Sequence, residues 1–207
     1  MESLYRKIVH AYTALLFLLG ACQSPTQSSI EYSPGFFDRL EAGDIIVRMG
    51  RGFWSNYFRN LSLHDKRYSH AGIICERDDS LFVVHAIADE RTPQGAVRHS
   101  TIGEFIDDAR FGAVYRYPFD LTTRHGIAEF AYSTANSAFS FDWQFDLTTA
   151  HKLYCTELVF RAVNAAVDSV YLSPHLYKKG KGYITLDDIY LRPVPIRQIA
   201  WFRANDF

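Results

Sequence analysis

The chain has 207 residues, with 22 lysines and arginines against 23 aspartates and glutamates and a formal charge of −1. That near-balance, without a basic stripe, excludes an electrostatic footprint for nucleic acid. Beyond an N-terminal leader, roughly 175 residues from Ser33 onward suffice for one well-buried domain, and 15% aromatic residues supply a bulky core and a groove for a peptide or lipid chain.

The leader comes first. Arg6 and Lys7 precede the mostly apolar run Ile8 to Leu19, which is short for a bilayer span and right for a signal peptide. The run ends in Leu19-Gly20-Ala21-Cys22, which resembles the lipobox of bacterial lipoproteins. The expected organisation is a lipoprotein signal peptide over 1–21, a polar tether over 22–34 anchored by lipid (palmitate) on Cys22, and a single domain over 35–207. A Gln23 where an aspartate would signal retention implies sorting to the outer membrane, facing the periplasm. Losing Glu2, Arg6 and Lys7 leaves 20 basic and 22 acidic side chains, a formal charge of −2.

A short helical stretch, Phe36 to Leu40, precedes the turn Gly43-Asp44 and the β-branched run Ile45-Ile46-Val47-Arg48, a strand. Phe53 to Leu61 is aromatic and reads as a short helix. Ser69 to Cys75 and Leu81 to Ile87 are strands separated by the charged turn Glu76-Arg77-Asp78-Asp79-Ser80, an antiparallel hairpin. Thr101-Ile102-Gly103-Glu104 is a capping box that starts a helix running to Arg110. Ala113 to Tyr117 is a strand, and Thr123 to Asn136 a longer helix. Lys152 to Val167 carries Leu158, Val159, Ala162, Val163 and Ala166 at helical spacing. Leu186 to Ile189 is a short turn, and Leu191 to Ile196 an extended segment that Pro193 and Pro195 confine to a sheet edge. The class is α+β with a mainly antiparallel sheet.

Cys155 opens the Lys152–Val167 helix, where unpaired backbone N–H groups favour thiolate over thiol and make it a nucleophile candidate. A buried inert cysteine is the alternative. With Cys22 acylated only Cys75 and Cys155 remain, and in an oxidising compartment a Cys75–Cys155 disulfide is a further alternative. A thiol nucleophile needs a base, and imidazole suits neutral pH. Of eight histidines, His10 leaves with the leader, and His64, His99, His125, His151 and His175 lie in polar or helix-end contexts. His70 heads an apolar strand, and His85 interrupts the neighbouring one, where antiparallel pairing can set them side by side. Glu157 lies about 200° around the helix from Cys155 and points away from the thiol's partner. The Cys155 backbone N–H is the expected oxyanion donor; Tyr68 and Tyr154 are read as packing residues.

In this order, Gly43-Asp44-Ile45-Ile46, Tyr68-Ser69-His70-Ala71-Gly72-Ile73 and Tyr154-Cys155-Thr156-Glu157-Leu158-Val159 resemble the permuted papain-like hydrolases of the NlpC superfamily, specifically the YaeF/YiiX-like branch. The resemblance covers about residues 40 to 195. It implies a permuted papain-like fold with the nucleophile at the N-terminus of a packed helix, Cys155 as nucleophile, His70 as general base and His85 as the third polar residue. Many YiiX-like relatives have a carboxylate where this chain has His85; histidine there is more like other permuted members, including the lecithin retinol acyltransferase group. Asp44 falls on the family's glycine-aspartate motif, with a structural role.

The leading expectation is therefore a thiol peptidase or amidase of the cell envelope, acting on an envelope peptide or lipoprotein through an acyl-enzyme. An acyltransferase or lipid hydrolase using the same thiol is the alternative, and a non-catalytic binding module the second. No cofactor is expected, and neither C-x-x-C nor H-x-x-x-H spacing suggests a metal site.

Overall fold

The computed structural model describes residues 29–88, 96–192 and 196–205. The expected leader, Cys22, the first part of the tether, Pro193 and Pro195 lie outside those residues. In chain order the elements are β1 (Ile30–Tyr32), a 3₁₀ turn (Phe37–Arg39), β2 (Ile45–Gly50), α1 (Phe53–Arg59), β3 (His70–Arg77), β4 (Ser80–Ile87), β5 (Ala96–Thr101) and α2 (Ile102–Asp107). There follow β6 (Ala109–Arg116), α3 (Leu121–Ala135), β7 (Ser140–Phe141), β8 (Lys152–Leu153), α4 (Cys155–Ala166), β9 (Leu176–Lys178), β10 (Lys181–Tyr183), a π-helical turn (Asp187–Leu191) and β11 (Arg197–Ala204).

Among the described residues, nine strands form one sheet in the order β1-β11-β6-β2-β3-β4-β5-β7-β8, antiparallel except for β7–β8. This is the expected α+β class. Apolar residues alternate between two cores. Ile45, Val47, Ala71, Ile73 and Val84 face a large core shared with α3 and α4. Ile46, Ile74, Val83 and Val114 face a second one with Phe105 and Ile106 of α2 and Phe36, Leu40 and Phe202. Covering on both faces is why β2 reads as an apolar run interrupted only by Arg48 and is buried at all six positions.

The hairpin β3–β4 turns through Asp78 (φ 50°) and Asp79 (φ 57°), left-handed conformations that aspartate tolerates better than most residues. The capping box is present, with Thr101 Oγ1 accepting from the Glu104 N–H and the Glu104 carboxylate accepting from the Thr101 N–H. Two short expected elements differ. The Leu186–Ile189 turn is the start of a π-helical turn that buries Asp187 and Asp188. The chain end supplies β11, an interior strand between β1 and β6.

Asp187 pays for its burial by accepting from the backbone N–H groups of Leu63, His64 and Asp65. That fixes the loop leading into Tyr68-Ser69-His70. Gly43 also has a reason to be glycine: its φ is +87°, and a Cβ there would sit 2.2 Å from the Arg124 carbonyl oxygen.

Candidate active site

His70 is the first residue of β3 and lies on the α2 face of the sheet, with Arg48 directly opposite on β2. His85 of β4 shares that face. The Nε2 atom of His70 is 2.7 Å from Nδ1 of His85, and Nε2 of His85 is 3.0 Å from the Ser100 hydroxyl of β5. Phe105 of α2 stacks against the His70 ring at 5.6 Å and meets the His85 ring edge-to-face at 5.3 Å. Both rings are thereby held in plane and position. Gly72, between the two histidines in the register, leaves the space: a Cβ there would come 2.4 Å from Val83 Cγ1 and 3.3 Å from His85 Cβ.

Cys155 approaches from the other side. It is the first residue of α4, whose apolar side (Leu158, Val159, Ala162, Val163) is buried in the large core. Cys155 and His70 line one cleft of about 350 Å³ with Arg48, Trp54, Phe58 and Phe141. Because His70 commits Nε2 to His85, Nδ1 is the ring nitrogen left for the thiol side. The backbone N–H groups of Ala71, Thr156 and Cys155 itself surround the sulfur, and Arg48 adds a positive charge nearby.

Burial pushes the Cys155 thiol up to about 11 despite those donors. Burial likewise drives the His70 pKa well below its usual value, helped by His85, Arg48 and Arg98, and lowers His85 to about 3, helped by Arg48 and Arg98. The resting site is therefore a neutral thiol beside a neutral histidine pair. For His70 to take a proton on Nδ1, its own proton must be on Nε2, donated to His85 Nδ1. His85 then carries its proton on Nε2 and donates it to Ser100 Oγ. Ser100, whose hydroxyl can accept as well as donate, accommodates that arrangement.

Cys75 and Cys155 are both free thiols, so the disulfide alternative is not realised. Glu157 points away from the cleft, paired with Arg161 four residues on. Arg161 also donates to the carbonyls of Leu147 and Thr149. Glu157 thus braces the loop beyond β7 that ends at β8 and Cys155, and burial raises its carboxyl to about 7. Asp44 does not line the cleft. It accepts from the Glu41 N–H at 2.8 Å, as expected, and takes a two-point contact from Arg116 that joins β2 to β6. The Tyr154 hydroxyl accepts from the Ile184 N–H, and the Tyr68 hydroxyl meets that of Tyr115; both tyrosines are buried packing residues. Two outlying histidines have partners, His64 with Arg192 and His175 with Asp188. Helix α1 forms a wall of the cleft, with Phe58 packed on Phe141 and Phe145.

Residues 39–183 match the family described as permuted papain-like amidase enzyme, YaeF/YiiX, C92 family. The chain belongs to that family. The crystal structure of metalloprotein yiiX from Escherichia coli O157:H7 is similar in fold to this C92 chain, with a TM-score of 0.64 and 16% identity over 78% of this chain and 97% of that one. No curated protein sequence matches significantly. As a C92 member the chain is a hydrolase of amidase or peptidase type with a permuted papain-like fold. Sequence reasoning missed Ser100 and the role of Arg48. The signal for Arg48 was a lone arginine in an apolar strand; Ser100 lies in the mostly polar strand Ala96–Thr101 beside the hairpin, which carries no clear alternation.

Proposed function

We propose that the protein is a thiol amidase of the bacterial cell envelope in which Cys155 is the nucleophile, His70 the general base and His85 the residue that orients it. The observation that carries this reading is the chain His70–His85–Ser100 reaching the cleft that holds Cys155. His70 Nδ1 takes the thiol proton as Sγ attacks the carbonyl carbon. The oxyanion forms against the Cys155 backbone N–H at the helix start. The intermediate collapses as the C–N bond breaks and His70 returns the proton to the leaving amine, which leaves a thioester on Cys155. Water, deprotonated by His70, then releases the acid and restores the thiol.

The envelope location rests on the leader and Cys22; among the described residues, no helix is long and apolar enough to cross a membrane. The neighbour yiiX is called a metalloprotein. Among the described residues of this chain no group of three or more His, Cys, Asp or Glu side chains could hold a metal ion, so no step here passes through one.

The test is p-nitrophenyl acetate, an activated acyl donor that any competent thiol accepts. The expected result is a burst of nitrophenolate with an acetyl mass on Cys155, absent in Cys155→Ala and lost in His70→Ala. An acetyl mass elsewhere overturns the assignment. For location, labelled palmitate should enter the wild-type chain and not Cys22→Ala. The acyltransferase or lipid-hydrolase reading is supported by a small apolar cavity beside Cys155 formed by Phe58, Leu61, Phe145, Ile184 and Leu186. A long-chain acyl mass on Cys155 after incubation with phospholipid vesicles, with none from peptides, would favour it.

A further inference from the structure

Arg48 is buried, 7% of its side chain being exposed, yet its guanidinium is only partly used. Nη1 donates to the Phe105 carbonyl at 2.7 Å. Nη2 lies 3.1 Å from Asp108 Oδ2, whose side chain is 64% exposed, and Nε has no hydrogen-bond partner among the described residues. Nε and Nη2 form the edge of an arginine that receives a carboxylate at two points. Arg116 shows that edge filled, with Nε at 2.7 Å and Nη2 at 2.8 Å from the two oxygens of Asp44. On Arg48 it is half filled: Nη2 meets an exposed aspartate and Nε is buried without a partner.

The Nε of Arg124 also lacks a hydrogen-bond partner, as does that of Arg192, which lies 3.9 Å from Asp188 Oδ1. What separates Arg48 is its place. It lines the cleft that holds Cys155 and His70, and with Ile87 and Asp108 it also lines a second cleft of about 380 Å³ that contains Arg98, Ser100 and Glu104. Glu104 is committed to its capping box. A buried cation with one exposed counter-ion is costly unless something else meets it. The Phe105 carbonyl and the Phe105 ring, its centroid 4.8 Å from the guanidinium carbon, meet part of the Arg48 charge and leave Nε unpaired. Both histidines are held neutral, so the positive field at the thiol comes from the arginines.

We infer that Arg48 is a substrate-binding residue whose free edge takes a carboxylate on the acyl part of the substrate, so that the enzyme acts on anionic acyl groups. This rests on the thiol reading above. Arg98 lies on the same side and adds attraction without a two-point contact.

Iodoacetate and iodoacetamide differ only in charge and read the site without turnover. In the full chain, the ratio of their rates at Cys155, located by mass spectrometry, should exceed that for N-acetylcysteine by roughly tenfold at low salt. The iodoacetate rate should saturate, and glutarate should protect where glutaramide does not. Arg48→Met should bring the ratio to the free-thiol level, with both rates falling because the thiolate loses a positive neighbour, and Arg48→Lys should keep part of the ratio. A wild-type ratio equal to that of the free thiol, or one unchanged in Arg48→Met, overturns the proposal, as does stronger protection by glycerol phosphate than by glutarate. Should Arg48→Met fail to fold, Arg48→Lys and the wild-type protection experiment decide. If neither reagent labels Cys155 until the chain is denatured, the thiol reading fails instead, and calorimetry of glutarate against glutaramide still decides the carboxylate subsite.

Discussion

Cys75 and Cys155 are two buried thiols at the same sheet, and their surroundings have opposite polarity. Cys75, in the body of β3, is 3.4 Å from the Ala128 carbonyl of α3, and its only outlet is to donate. Burial raises it to about 12. Cys155, at the start of α4, is faced by the N–H groups of Ala71 and Thr156 and by its own, and by the charge of Arg48, all of which favour thiolate. Burial is shared by both sites. What separates a structural thiol from a nucleophile is whether its neighbours donate or accept, and whether a base can reach it.

The sharpest way to break this contrast is to remove each sulfur in turn. Cys155→Ala should lower p-nitrophenyl acetate turnover by at least about 10³-fold. Cys75→Ala should leave turnover within about threefold and cost about 1 kcal/mol in a urea titration, the small transfer and cavity cost of one buried atom. Equal losses of turnover would erase the distinction. Next in size is the base. His70→Ala should cut turnover by about 10²-fold, the usual worth of a positioned proton acceptor, and leave Cys75 as inert to iodoacetamide as before. A smaller effect is expected from Ser100→Ala. His85 Nε2 then loses its side-chain hydrogen-bond partner, and turnover should fall about tenfold with the acid limb of its pH profile displaced. A loss of stability with an unmoved profile would reduce Ser100 to a packing residue.

The parts legible in sequence were those with a local signature. The hairpin announced itself through the charged turn at Asp78-Asp79, α2 through its capping box, and Cys155 through an apolar helical run beginning at the cysteine. His70 and His85 were legible because histidine is conspicuous in an apolar strand, and the Gly43-Asp44 turn because glycine and aspartate precede a β-branched run. The rest depended on pairing across the fold. Asp44 finds Arg116, 72 residues on, and nothing near either residue says so. β7 and β8 have two residues each, too few for a period. β11 reads Arg-Gln-Ile-Ala-Trp-Phe-Arg-Ala, polar at its start and broken by a register shift at Gln198/Ala200. The aromatic stretch from Phe53 was readable as a helix, but its place as a wall of the cleft depends on Phe141 of the two-residue β7 and on Phe145 of the loop after it.

The smallest expected effect concerns how dry the histidine side of the cleft is compared with an ordinary surface. His85 titrates near 3 when folded, against an ordinary value of 6.5, because burial and two arginines oppose its charge. Between those values the unfolded chain binds the additional proton. Stability from this group is therefore complete above about pH 6.5 and is lost on acidification, by at most about 1.4 kcal/mol per pH unit. Glu157 acts in the opposite sense. Its folded value of about 7 exceeds the ordinary 4.5, so its contribution declines as the pH rises through that interval. His70, buried beside His85 and lowered likewise, acts in the same sense as His85, so the wild-type curve sums all three groups. The informative quantity is the stability gap between wild type and His85→Asn, measured by urea unfolding at several pH values. It should be widest at neutral pH and narrow by about 1 kcal/mol from pH 6.5 to 5.5. A gap independent of pH would mean that His85 charges as freely in the fold as in water, and the neutral histidine pair proposed to serve Cys155 would lose its physical basis.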